Sequence, residues 1–264
     1  MKSAGAEIRQ ETIVDWDDLD HELEQWRAAN RRPVFWWRDD DLAAPSPELD
    51  RLLLLRNGAP IALAVIPKLV KDDLAADLKD YPKIDVIQHG FAHIDHSGGD
   101  EKKTEFGAYR PADRAIEDLV AGQHILTKQF GERFVPVLAP PWNRIAENIA
   151  DRLADAGFIA LSGFGKKEVG DLPNINTHVD PIDWRKTRAF LGTDHVLAKT
   201  IETLAHQRLA KGPARPIGLL THHRQMDADG WKFVDQFVKT LQAQPNVSLQ
   251  SIRDILGGPP VVSH

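Results

Sequence analysis

The sequence predicts an α/β fold: a single domain built as a parallel (β/α) barrel of six or seven units. Three observations point there. Short apolar runs of strand length alternate with amphipathic helical patterns, and such alternation means parallel strands joined by helical crossovers. No Pro/Gly/Ser linker or break in composition divides the 264 residues. Polar clusters collect where the strands end, which is where barrels keep their chemistry.

From about Asp15 to Ala29 the spacing predicts a helix, with Trp16, Leu19, Leu23 and Trp26 on one face. Asp15, Asp17 and Asp18 suit its positive end. Pro33 precedes a short apolar run, Val34 to Trp37, that reads as a buried strand ending in four charged residues, Arg38 to Asp41. Ser46-Pro47-Glu48 has the form of a cap with Pro at the first helical position, and Gly58 closes that helix. Ile61 to Val65 is a second strand, Leu69 to Leu78 a weak helix, and Ile84 to Ile87 a third strand. Pro111 to Phe130 forms a long helix ending at Gly131. Val135 to Leu138 is a strand, Ile145 to Ala156 a helix stopped by Gly157, and Ile159 to Leu161 a short strand. Thr193 is expected to cap a helix reaching Leu209, with Val196, Leu197, Thr200, Ile201 and Leu204 inward. Ile217 to Thr221 is another strand, and Trp231, Val234, Val238 and Leu241 line the last major helix. Ser97 to Arg110 and Ser162 to Phe190 fit neither period, and long loops in compact domains are often functional.

Composition narrows the chemistry. With no Cys in the chain, disulfide scaffolds, Cys-ligated zinc, iron–sulfur clusters and cysteine nucleophiles are excluded. A formal net charge of −6 argues against general affinity for nucleic acid or anionic lipid. Met1 to Glu11 holds no apolar run of the kind a signal peptide needs. No stretch approaches the roughly 20 apolar residues of a membrane span. A cytoplasmic protein without a nucleic-acid or membrane partner is therefore the expectation. The oligomeric state is not legible.

Four polar clusters end the expected strands. They are Arg38-Asp39-Asp40-Asp41, then Gln88-His89-Gly90-Phe91-Ala92-His93, then Ala139-Pro140-Pro141-Trp142-Asn143-Arg144, then Thr221-His222-His223-Arg224. Clusters at one end of a barrel converge on one pocket. Acidic runs are usually solvated loops or helix caps. Directly after a buried strand, however, such a run is costly to desolvate unless a cation compensates. Arg38 could be that cation, and so could a metal. His89 and His93, spaced i, i+4, share one face of a helical turn, a common metal-ligand spacing that surface helices also carry by chance. One Asp with two His makes a three-ligand site with positions left for water or substrate.

Taken together, Asp40-Asp41, His89-x-x-x-His93, Pro140-Pro141-Trp142, Asp180-x-x-Asp183-Trp184 and Leu219-x-x-His222 resemble, in order, the five motifs of the polysaccharide deacetylase family. This is carbohydrate esterase family 4, which includes chitin, chitooligosaccharide and peptidoglycan deacetylases. The resemblance spans residues 34–223. It implies a distorted (β/α)7, TIM-like barrel over residues 33–264, with residues 1–32 as a helical extension packed on it. It also implies a divalent metal, zinc first, with cobalt, nickel, manganese or iron as alternatives.

Carried over by motif, Asp41, His89 and His93 would be the metal ligands, Asp40 the general base and His222 the general acid. Trp142 would help hold the oxyanion through its backbone N–H. Asp180 or Asp183 would orient His222, with Asp183 the candidate placed among the catalytic residues. The implied reaction is hydrolysis of an N-acetyl or O-acetyl group on a sugar by a metal-activated water. Asp40 would take the proton, the oxyanion would lie between metal and backbone donor, and His222 would protonate the leaving group. Trp142, Asn143, Trp184 and His223 are candidate substrate contacts, the two indoles as apolar walls. Trp36 and Trp37 are expected to pack the barrel.

The chain departs from the family pattern. Ala139 stands where an Arg usually pairs with the base, Arg38-Asp39 replaces Thr-Phe, and Leu42 replaces a Gly. Arg38 or Arg144 is expected to supply the missing charge beside Asp40. His223 could exchange roles with His222. His96 and Glu105 read as polar loop residues, and His178 as a candidate pocket residue. The absence of a leader favours a cytoplasmic sugar conjugate or a small amide as substrate over a cell-wall polymer. The alternatives are a hydrolase of small non-sugar amides on the same fold and a catalytically silent carbohydrate-binding relative. Asp40, Asp41, His89, His93 and His222 argue against the silent one, because binding alone needs neither base nor acid.

Overall fold

A computed structural model describes residues 13–257, so the expectation for Met1 to Glu11 lies outside the described residues. Helix α1 (Trp16–Ala28) leads to β1 (Val34–Leu42), α2 (Pro47–Leu55), β2 (Ile61–Val65), α3 (Leu74–Leu78), β3 (Ile84–His89), α4 (Ala112–Phe130) and β4 (Phe134–Ala139). There follow α5 (Glu147–Ala150), β5 (Ala160–Leu161), β6 (Thr177–Val179), α6 (Thr193–Leu209), β7 (Ile217–Thr221), α7 (Ala228–Ala243), β8 (Ser248–Leu249) and α8 (Ile252–Ile255).

The strands pair in parallel in the order β5-β4-β3-β2-β1-β7-β6. The two ends of that row meet through isolated bridges, Leu161 with Asn174 and Phe164 with Thr177. There the Thr177 N–H donates to Gly163 O at 3.0 Å and the Gly165 N–H to Thr177 O at 2.7 Å. Seven strands thus form a ring that is weakest at the β5–β6 seam. The barrel is distorted at that seam.

Two-residue alternation sorts β1. Trp36 packs inside the ring with Ala62, Ala64, Ile87, Val137 and Ala160, whereas Phe35 and Trp37 pack outward under the helices. A ring of so few strands is narrow, and small residues make room for the one indole inside. Gly218 on β7 meets the same demand, since a Cβ there would lie 2.6 Å from Trp36 Nε1. At the amino end of the strands, α8 forms the floor: Ile252 joins the interior cluster and Arg253 Nε lies 3.3 Å from Asp85 Oδ1. Outside, α1 buries Leu19, Leu23 and Trp26, and its Glu22 pairs with Arg208 on α6 at 2.8 Å.

Several boundaries differ from the sequence expectation. Strand β1 continues through the charged run to Leu42, because Arg38 and Asp39 stay in register with Leu220 and Thr221 of β7. The helix expected from Leu69 begins only at Leu74, after a 3-10 turn at Pro67–Leu69. The helix expected over Ile145 to Ala156 keeps only four α-helical residues. Gly192, at φ 100°, occupies the cap of α6, where Thr193 was expected. Strand β6 lies inside the unassigned Ser162 to Phe190 stretch. No helix among the described residues is long and apolar enough to cross a membrane.

Candidate active site

The carboxyl ends of β1, β3, β4 and β7 face an open cleft of about 1100 Å³, lined by Asp40, Asp41, His89, His93, Trp142 and His222 among others. Asp41 Oδ1 lies 3.1 Å from His89 Nε2 and 3.2 Å from His93 Nε2. These three ligand atoms lie within 4.8 Å of one another. His89 Nδ1 sits 2.9 Å from Ala139 O, a carbonyl that only accepts, so Nδ1 carries a hydrogen. In a neutral imidazole, Nε2 then turns a lone pair on a carboxylate oxygen, a contact that is repulsive until a proton or a cation fills it. Burial pushes the Asp41 carboxyl up, but hydrogen bonds from His89 and His93, with charge from His89 and His222, outweigh it and hold the group well below the usual range. Burial would lower His89, yet the Asp40 and Asp41 carboxylates raise it on balance. One carboxylate and two imidazoles, one anchored on a backbone carbonyl, suit a divalent ion such as zinc.

The backbone is strained here. Asp41 (φ 67°), His93 (φ 56°), Trp142 (φ 56°) and Asn143 (φ 55°) all occupy the left-handed region without being glycine. Such positions cost of order 1–3 kcal/mol each and cluster where a site demands them. The turn between His89 and His93 is braced by Glu105, which is fully buried. Its carboxylate accepts the Phe91 N–H at 3.1 Å and the Ala92 N–H at 2.7 Å. Glu105 is therefore not the solvated loop residue expected. Gln88 Nε2 donates to Gly90 O at 2.9 Å and to Leu119 O at 3.1 Å, tying the turn to α4. At Gly90 itself, φ is 59° and a Cβ would stand 2.1 Å from Glu105 Oε2. Gly90→Ala should lower stability by more than about 2 kcal/mol, read as a shift in the urea midpoint. An unchanged midpoint would mean that the Glu105 brace is absent.

Asp40 is paired with a cation from its own strand. Arg38 Nε lies 2.8 Å from Asp40 Oδ1, and an Arg38 amino group donates to Oδ2 at 3.0 Å. The same guanidinium donates to Ser162 O at 2.6 Å, Ser162 Oγ at 2.7 Å and Asn143 Oδ1 at 2.6 Å. Arg38 thus reaches across the ring to Ser162, just past the end of β5. Arg144 does not lie beside Asp40: beyond the left-handed Trp142-Asn143 pair it is exposed and donates to Lys103 O at 2.9 Å.

His222 Nε2 faces Asp40 Oδ2 across 3.9 Å, and its ring packs edge-on against Trp184, centroids 4.6 Å apart. Trp184 Nε1 donates to Asp180 Oδ2 at 2.7 Å. Burial pushes the Asp180 carboxyl up, against the opposing pull of His222. Asp180 thus holds the indole that packs on His222. Asp183 Oδ1 accepts the N–H groups of Arg185 and Lys186, both at 3.1 Å, and so stabilises its own turn. Trp142 packs on His93 with centroids 4.5 Å apart.

His223 is fully buried and does not reach the cleft. Its Nδ1 lies 2.5 Å from Asp39 Oδ1, while Asp39 Oδ2 accepts the Thr221 hydroxyl at 2.6 Å and the His223 N–H at 3.0 Å. Alternation is the reason: Asp40 and His222 point into the ring, so their neighbours Asp39 and His223 point out. Neither substrate contact nor exchange with His222 is open to His223. The Asp39–His223 pair instead ties the ends of β1 and β7 together.

His178 lines the cleft, its Nδ1 accepting the Gly218 N–H at 3.2 Å. Burial, with Lys199 and Lys166 adding, pushes its pKa from 6.5 down to about 4. The unfolded chain takes up that proton near 6.5 and the folded chain only near 4, so stability falls as pH drops between these values. His178→Asn should remove that part of the acid loss, up to about 3 kcal/mol. Parallel pH–stability curves for variant and wild type would refute it. His96 is exposed and does not line the cleft.

No family model and no curated protein matches the chain. Solved structures do match. A Mycobacterium smegmatis protein assigned as a polysaccharide deacetylase has a TM-score of 0.60 at 13% identity, over 86% of this chain and 90% of that one. A family 4 acetyl xylan esterase from Clostridium thermocellum, in complex with a cobalt ion, has a TM-score of 0.53 at 13% identity, over 86% and 93%. A family 4 carbohydrate esterase from Streptomyces lividans, in complex with acetate, has a TM-score of 0.51 at 15% identity, over 84% and 93%. At these identities what is shared is the architecture, and the architecture is that of the family 4 carbohydrate esterases.

Proposed function

We propose that the chain is itself a polysaccharide-deacetylase-family hydrolase that removes an acetyl group from an acetylated sugar with the help of a divalent metal. One observation carries the reading: Asp41, His89 and His93 bring three ligand atoms within 4.8 Å, directly beside Asp40 and His222 in the same cleft. The shared fold supports it.

A divalent ion held by Asp41, His89 and His93 would supply Lewis acidity, making water a stronger nucleophile and polarising the acetyl carbonyl. Asp40 accepts the proton of the attacking water. Arg38 holds the Asp40 carboxylate in one orientation and offsets the charge that burial would otherwise penalise. The Trp142 backbone N–H is the proposed donor to the oxyanion. His222 gives a proton to the departing sugar nitrogen, which leaves poorly without one. Trp142 and Trp184 wall the acetyl methyl and the sugar face, and Asn143 holds Arg38 at the edge of the cleft.

The test is acetate release by zinc- or cobalt-loaded protein from chitotetraose, acetylated xylan and a panel of small amides. Release from a sugar, lost on chelation, is expected. Release from non-sugar amides alone would move the activity to the small-amide reading. Sugar binding without turnover at any pH would overturn the hydrolase reading.

A further inference from the structure

The mouth of the cleft carries an excess of cations that the chemistry above does not use. Lys102 and Lys103, from the loop after β3, and Arg144, after β4, line it. Arg185 and Arg188, from the loop after β6, line it as well, and β6 lies three strands from β3 around the ring. All five are exposed, and among the described residues none forms an ion pair with a carboxylate. Asp100 is exposed but does not line the cleft, and the other acids of the same loops are differently placed. Asp95 accepts the N–H groups of Ser97 and Thr104, Glu101 those of Gly98 and Ala108, and Asp183 those of Arg185 and Lys186. Their carboxylates are spent on loop backbone, while the cations have no carboxylate partner. Lys199, also at the cleft, differs in being paired with Glu202 at 2.8 Å.

A chain with a formal net charge of −6 gains nothing in solubility from a cationic rim around its one candidate active cleft. Like charges gathered at a concave mouth repel one another and focus a positive field into it. Guanidinium groups also match carboxylate and phosphate geometry. We infer that the cleft takes an acetylated glycan carrying anionic groups, carboxylate or phosphate, on both sides of the reacting sugar. The inference rests on the deacetylase reading and names its substrate class. Loops after β3 and β4 hold one flanking anion and the loop after β6 the other.

Matched pairs of probes test it. A hyaluronan hexasaccharide places carboxylates on both sides of an N-acetylglucosamine, and hexa-N-acetylchitohexaose places the same acetamido sugar among neutral neighbours. N-acetylglucosamine 6-phosphate and N-acetylglucosamine form the phosphate pair. At low salt, kcat/KM for acetate release should favour the anionic member of a pair by at least about ten-fold, and 0.5 M salt should remove most of that preference. Arg185→Gln with Arg188→Gln should bring the ratio toward one, and because a ratio is read, a loss of total activity does not mimic the effect. A preference in the first pair assigns carboxylate recognition, and one in the second assigns phosphate. Equal or better turnover of the neutral members overturns the inference and leaves the deacetylase reading standing. Acetate from none of the four, nor from acetylated xylan, overturns the deacetylase reading instead. Equilibrium binding of the same probes then decides the charge preference, and binding without a salt-sensitive bias to the anions overturns it too.

Discussion

Replacing Arg38 with methionine should destabilise the protein by about 3–5 kcal/mol. The guanidinium is fully buried, and it is the cation that faces Asp40, itself almost fully buried. Its loss would strand a carboxylate away from water and leave Ser162 O without its donor at 2.6 Å. Adding Asp40→Leu to Arg38→Met should recover part of the loss, because a buried ion pair exchanged for apolar side chains is often near neutral. Arg38→Lys should not rescue, since one ammonium cannot serve Asp40, Ser162 and Asn143 at once. Urea denaturation of wild type, Arg38→Met, Asp40→Leu and the double variant gives the coupling. A loss below about 1 kcal/mol for Arg38→Met would show that the pair is not the closed unit described.

Asp40→Asn should lower kcat for acetate release by about 10²–10⁴ while the chain stays folded. Asparagine keeps the shape and an oxygen acceptor for Arg38 but cannot take the proton of water. Metal content should be unchanged, because Asp41, His89 and His93 are untouched. His222→Gln should fall in the same range, and the double variant should lie near either single, since base and acid act on one reaction path. A kcat for Asp40→Asn within about three-fold of wild type would remove the base from the account.

Much of this was legible in the sequence. Strand-length apolar runs between helical patterns predicted the parallel ring, and the ends of those runs held the residues that meet in the cleft. What failed did so where charge hid a strand. The run Arg38 to Asp41 reads as loop, so β1 was expected to stop at Trp37. With β1 continued to Leu42, alternation alone sends Arg38 and Asp40 inward and Asp39 outward. The same parity on β7 separates His222 from His223. Arg144 failed for another reason: it lies beyond a turn whose direction depends on the left-handed backbone of Trp142 and Asn143. Glu105 carried no signal, because its partners are backbone N–H groups fourteen and thirteen residues away. Three-residue β6 and the α8 floor are too short for any period to show.

The most direct test of the central claim is acetate release from the sugar substrate as zinc is titrated into chelator-stripped protein. No release is expected without metal, then a rise to a plateau at about one ion per chain, and no rise at any ratio in Asp41→Ala. Full release from stripped wild-type protein, or an Asp41→Ala curve that overlays wild type, would contradict it.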